Sequence, residues 1–148
     1  MNLIKRIFTK DTPQNKSSEI PTPEKTPYEI MGGKSGAYNL AKRFYDIMEK
    51  DSYAKPLLDL HPQPLDRIRC VFFEFLSGWL GGPDLFTEKY GHPMLRKRHL
   101  PFLIDEELRN QWIYCMNKAL DIEIDNPLLR QGLKQSFSQL ATHMINQE

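Results

Sequence analysis

The sequence predicts an all-α protein on three observations. Apolar residues recur at helical spacing in four long stretches, and no stretch alternates apolar and polar residues as a half-buried strand does. Glycine or proline stands near the ends of the periodic stretches, where helices start and stop. Four main helices follow, with a short histidine-bearing one between the second and third.

The first 27 residues divide into an apolar and basic head, Leu3-Ile4-Lys5-Arg6-Ile7-Phe8, and a polar tract with Pro13, Pro21, Pro23 and Pro27. Such a tract buries too little apolar surface to offset its ordering entropy, so residues 1–27 are expected to be a flexible extension and residues 28–148 the folded domain. The head has the composition of an amphipathic turn that touches a membrane or partner, but it is short for that and is read as a frayed extension. Tyr28 to Met31 form a short turn before Gly32-Gly33. Ser35 then caps the first long helix, which runs to about Glu49 with Ala37, Leu40, Ala41, Phe44, Tyr45 and Met48 on one face. A buried tyrosine hydroxyl needs a partner, so Tyr45 is either a satisfied core group or a donor into a cavity.

Asp51 to Pro64 reads as a connector restrained by Pro56, Pro62 and Pro64, and it carries His61. The second long helix covers Leu65 to about Leu80, with Leu65, Ile68, Phe72, Phe75, Leu76 and Trp79 in register. Ile68 and Phe72 stand one turn apart on one face. Gly81-Gly82-Pro83 ends it, because glycine accepts a left-handed cap and proline cannot continue a helix. Asp84 to Tyr90 is a turn or helical fragment. Pro93 is expected to open the short helix and Pro101 to close it at about His99 or Leu100. Asp105, Glu106 and Glu107 favour the start of the third long helix through its macrodipole, and Leu108, Trp112, Cys115, Met116 and Ala119 form its buried stripe. Trp112 reads as packing, or as an indole N–H in need of an acceptor. The last helix starts at Asn126-Pro127 and presents Leu129, Leu133, Phe137, Leu140 and Met144.

With 148 residues and 40% hydrophobic content the chain fits one domain with one core. Lysine and arginine (20) nearly cancel aspartate and glutamate (19), so no global field points to nucleic acid or a membrane surface. Cys70 and Cys115 are too few for a disulfide framework and lack zinc-ligand spacing, which fits a reduced, cytoplasmic setting. No apolar run approaches the roughly 18 to 20 residues of a membrane span, and the start of the chain has no signal-peptide pattern. A soluble cytoplasmic protein with no stable membrane insertion is expected.

The charge that needs a local explanation lies in Gly91-His92-Pro93-Met94-Leu95-Arg96-Lys97-Arg98-His99-Leu100-Pro101-Phe102. Leu95 and Arg96 precede His99 by four and three residues and share its face, with Arg98 beside it. An imidazole at the mouth of an apolar pocket, ringed by guanidiniums, can ligate haem iron while the arginines pair with the propionates. A surface helix ending in a histidine that complements its dipole has the same pattern.

Taken together, these residues resemble the truncated haemoglobins, specifically the group II branch. The resemblance runs from about Tyr28 to Asn146. It rests on Gly81-Gly82-Pro83, the Gly91 to Phe102 stretch, Trp112 and Met116, and His143-Met144-Ile145-Asn146. It implies a truncated-globin two-over-two helical sandwich around haem b, with His99 as the proximal iron ligand. Leu95, Arg96, Arg98, Phe102, Ile68 and Phe72 complete the implied haem-binding set. Tyr45 matches the family's distal tyrosine and Trp112 its distal tryptophan, while Ile68 and Phe72 match two distal positions on the second long helix. His61 falls in the connector where the family commonly has tyrosine or phenylalanine. The chain departs from the pattern in a connector a few residues longer than in common members and in Ile68, which cannot donate a hydrogen bond. No Cys-x-x-Cys-His motif is present, so the haem is expected to be held non-covalently.

The function so implied is reversible binding of oxygen, with nitric oxide and carbon monoxide as further ligands. Tyr45, Trp112 and His61 are the candidate donors to a diatomic ligand that takes on negative charge. Three polar groups exceed what storage needs, which raises a second reading: a redox enzyme acting on nitric oxide, peroxide or peroxynitrite with electrons from a reductase. The chain carries no flavin or reductase motif of its own. His61, or Tyr45 as phenolate, is a candidate internal sixth ligand. A haemless helical interaction domain is the third reading.

Overall fold

The computed structural model describes residues 24–147; the Leu3 to Phe8 head lies outside them. Among the described residues every regular element is a helix. Helix α1 (Pro27–Ile30) begins on a proline, and the Thr26 hydroxyl accepts the Glu29 N–H at 3.2 Å. Thr26 and Pro27 are thus engaged at the edge of the expected extension. Helix α2 (Gly33–Lys50) starts before the expected cap, since Ser35 already lies inside it. Gly32, with φ at +104°, supplies the reversal between α1 and α2 that a side-chain-bearing residue resists. Gly36 brings the two helices together: a Cβ there would stand 2.1 Å from the Met31 carbonyl oxygen. All six residues expected on the inner face of α2 are buried.

The connector is more ordered than its prolines suggest. A 3-10 turn (Ser52–Ala54), whose Tyr53 N–H bonds the Asp51 carboxylate at 3.0 Å, leads into α3 (Lys55–Leu58) with Pro56 in its first turn. Helix α4 (Asp66–Trp79) ends as expected at the glycine pair. The Gly82 and Gly81 N–H groups return to the Ser77 and Gly78 carbonyls at 2.8 and 3.1 Å, with Gly81 left-handed. Gly82 also faces the Tyr28 ring so closely that a Cβ would lie 2.5 Å from it.

Helix α5 (Leu85–Tyr90) precedes α6 (Leu95–His99). Pro93 does not open α6. Met94 takes a left-handed φ of 40°, which breaks the chain direction after the proline and delays the helix to Leu95. Helix α7 (Glu106–Glu123) is capped by Asp105, and α8 (Pro127–His143) by Asn126, whose side chain accepts from the Leu128 and Leu129 N–H groups.

Helix α2 packs on α4 and on α7, and α7 packs on α8. The pairs α2/α4 and α7/α8 therefore stack as a two-over-two sandwich. Its centre is aromatic: the Phe44 ring lies 5.1 Å from Trp112 and 5.2 Å from Phe72, and Phe137 lies 4.4 Å from Trp79. Burying a side chain such as Phe44 contributes roughly 1.5 to 3 kcal/mol. Surface ion pairs such as Arg43–Glu123, which joins α2 to α7, contribute much less. No described helix is long and apolar enough to cross a membrane.

Candidate functional site

Between the two layers, closed on one side by α6, lies a mainly apolar cavity of about 350 Å³, within the range of small-molecule sites. His99 enters it from the last residue of α6. Its Nδ1 lies 2.6 Å from the Leu95 carbonyl oxygen, one turn back. A carbonyl can only accept, so Nδ1 carries the proton and Nε2 keeps a lone pair with no protein partner. Leu95 and Phe102 line the cavity beside it. The segment after His99 is clamped by Asn146, whose amide nitrogen donates to the Phe102 and His99 carbonyls at 2.9 and 3.4 Å. Its amide oxygen accepts the Ile104 N–H at 2.8 Å.

The arginines divide differently from the expectation. Arg98 lines the cavity, donates to the Tyr90 and His92 carbonyls at 2.9 and 3.2 Å, and holds its guanidinium 5.1 Å over the Phe86 ring. Arg96, expected in the haem-binding set, does not line the cavity. It donates instead to the His143 carbonyl at 3.2 Å, at the carbonyl end of α8, where a cation is favoured. Arg109, which the sequence reading passed over, takes a place on the rim with its guanidinium on Glu106 at 3.1 Å. Its spacing of three residues from Trp112 was the signal for it.

The α2, α4 and α7 walls carry the expected residues. Ile68 and Phe72 line the cavity with hydrocarbon, and Trp112 lines it from α7. Tyr45 is buried, edge-on to both His61 and Phe72 at 5.7 Å. Burial pushes its phenol pKa well above the usual range, and the nearby Arg69 charge offsets this only in part. Without a metal beside it the group is therefore a protonated hydroxyl, able to donate a hydrogen bond. His61 lines the cavity from the connector with Nδ1 2.9 Å from the Leu57 carbonyl oxygen. Burial lowers its pKa and the Leu57 bond opposes that only in part, which favours the neutral ring with Nε2 free.

Two imidazoles with free Nε2 atoms, an apolar slot and guanidiniums on the rim form a donor set that fits an anionic porphyrin bearing iron. A two-over-two helical sandwich around such a site defines the class: a haem-binding globin. The bacterial-like globin family model matches residues 26–146, and the chain belongs to that family, in its group II truncated haemoglobin branch. The cold-adapted truncated haemoglobin of the Antarctic marine bacterium Pseudoalteromonas haloplanktis TAC125 is 76% identical in sequence. That match has a TM-score of 0.83 and covers 84% of this chain and 100% of that one. The group II two-on-two haemoglobin of Agrobacterium tumefaciens is 37% identical with a TM-score of 0.83, over 87% and 100% of the two chains. The group 2 truncated haemoglobin YjbI of Bacillus subtilis is 37% identical over 121 residues, which is 82% of this chain and 89% of that protein. The cofactor is haem b and the ligands are diatomic gases.

Proposed function

We propose that the protein binds oxygen reversibly at a haem whose iron is held by His99, with nitric oxide and carbon monoxide as competing ligands. Haem held by one axial imidazole supplies iron with an open sixth position for a diatomic ligand. The chain does the rest. The Leu95 carbonyl fixes the His99 ring and raises the basicity of Nε2. Arg98 and Arg109, both in the cavity lining, would pair with the propionates. Ile68 and Phe72 keep the distal side dry, where donors count for more than in water.

One observation carries this reading: two protonated donors, the Tyr45 hydroxyl and the Trp112 indole N–H, share an apolar cavity with an imidazole whose Nε2 the protein leaves free. Both donors suit an oxygen ligand that gathers negative charge. The free thiols Cys70 and Cys115 suit the cytoplasm, and burial pushes the Cys115 thiol up to about 12, which keeps it unreactive. Oxygen titration of the reduced protein, followed in the visible spectrum, should give saturable binding that reverses on deoxygenation. Immediate irreversible oxidation on first exposure would contradict the proposal.

The presence of His61 as a third polar group favours a second reading, consumption of nitric oxide, peroxide or peroxynitrite with a separate reductase. Nitric oxide consumption by the oxygenated protein supplied with a reductase separates the two: sustained turnover supports the enzyme, and a single stoichiometric burst supports the carrier.

A further inference from the structure

We propose that Gln111 is a positioning residue for His61: by holding Leu57 against α7 it sets how far the His61 imidazole reaches into the cavity. The proposal rests on the reading that the cavity holds haem.

Gln111 is 2% exposed, at a place on α7 where the helix otherwise buries Cys115, Met116, Ala119 and Leu120. A buried amide costs desolvation that a leucine of similar size would not, so something must offset it. Its side-chain oxygen accepts the Leu57 N–H at 3.0 Å, a contact that spans 54 residues of sequence. The carbonyl of the same Leu57 accepts the Nδ1–H of His61 at 2.9 Å. One residue's two backbone groups therefore link α7 to the imidazole.

The same face of α7 grips the connector a second time. Tyr114 and Lys118, three and seven residues beyond Gln111, reach the Asp51 carboxylate at 2.7 and 3.3 Å. With Asp51 and Leu57 both fixed, the freedom left to His61 lies in the segment from Asp59 to Pro64. Because Nδ1 is engaged, only Nε2 can meet a ligand or the iron, and the depth of α3 decides which. Trp112 follows Gln111 in the chain but packs on Phe44 of α2 and Phe137 of α8, so loosening α3 moves His61 and leaves the indole in place.

The test uses the full-length haem-loaded chain as wild type, Gln111→Leu, Gln111→Glu, His61→Phe and the Gln111→Leu/His61→Phe double variant. In Gln111→Leu the Leu57 amide should exchange roughly tenfold faster, about the factor one hydrogen bond represents. The low-spin fraction of the ferric spectrum should rise by about twofold or more, since His61 is freer to move. Nitrogen NMR of the carbonmonoxy form should show His61 losing its fixed Nδ1–H tautomer. Gln111→Glu retains an acceptor at that place and should keep the wild-type spectrum. In the His61→Phe background the Gln111 substitution should leave the spectrum unchanged. A folded, haem-loaded Gln111→Leu with unaltered spectrum and tautomer overturns the proposal, as does an equal spectral change without His61. Should Gln111→Leu fail to fold, the wild type decides: a Leu57 amide exchanging at the rate of an unstructured peptide overturns it. Failure of the wild type to take up haem would instead defeat the functional reading on which this inference rests.

Discussion

Replacing Tyr45 and Trp112 by phenylalanine, singly and together, removes the donors proposed to hold oxygen while keeping most of the packing. Tyr45→Phe deletes only a hydroxyl, and the ring keeps its contacts with Phe44 at 4.9 Å and with His61 and Phe72 at 5.7 Å. Trp112→Phe keeps an aromatic ring against Phe44 and Phe137, 5.1 and 5.9 Å away in the wild type. A hydrogen bond to a charged acceptor contributes roughly 1.5 to 3 kcal/mol, and about 1.4 kcal/mol is tenfold in rate or equilibrium. Each variant should therefore release oxygen about ten- to a hundredfold faster. The double variant should fall short of the product of the two, because both donors serve one ligand. Stopped-flow displacement of oxygen by carbon monoxide measures the rate, with Ile68→Val, which has no donor to lose, remaining near wild type. Unchanged release in both Tyr45→Phe and Trp112→Phe would refute the reasoning.

Haem loss to excess apomyoglobin should be faster in Arg98→Ala and Arg109→Ala than in wild type, whereas Arg96→Ala should leave it unchanged, since Arg96 serves the end of α8. Equal rates in all three variants would show that the rim cations do not hold the propionates. Gly36→Ala should destabilise the fold by about 1 to 3 kcal/mol in urea denaturation, because the added methyl meets the backbone carbonyl of Met31. A variant within about 0.5 kcal/mol of wild type would mean that α1 yields freely.

The long helices were legible in the sequence because each buries one face, and Ala37 to Met48 on α2 fall inside as their spacing dictates. The glycine pair after Trp79 was legible because its chemistry is local: a left-handed cap needs no distant partner. His99 and the cavity-facing Tyr45, Trp112, Ile68 and Phe72 came from the motif resemblance. Periodicity placed those four on buried faces without telling a core contact from a cavity wall.

What stayed hidden depends on where a long or polar side chain goes. Arg96 shares a helical face with His99, yet a five-residue helix lets its guanidinium swing to the carbonyl end of α8. Gln111 breaks the apolar stripe of α7, and only the Leu57 N–H brought back from 54 residues away explains it. Asn146 lies after the last helix, where no pattern reveals that its amide ties down the loop beyond His99. The late start of α6 follows from the left-handed Met94, which a proline at position 93 gave no reason to expect.

The role of His99 as the iron ligand is tested most directly by the haem content and spectrum of purified His99→Ala beside wild type. Wild type should carry one non-covalent haem with an axial-imidazole signature. In the variant that signature and most of the haem should be lost, and free imidazole added to the buffer should restore the spectrum by filling the space left by the side chain. A His99→Ala protein with full haem and an unchanged axial-imidazole spectrum would contradict that role.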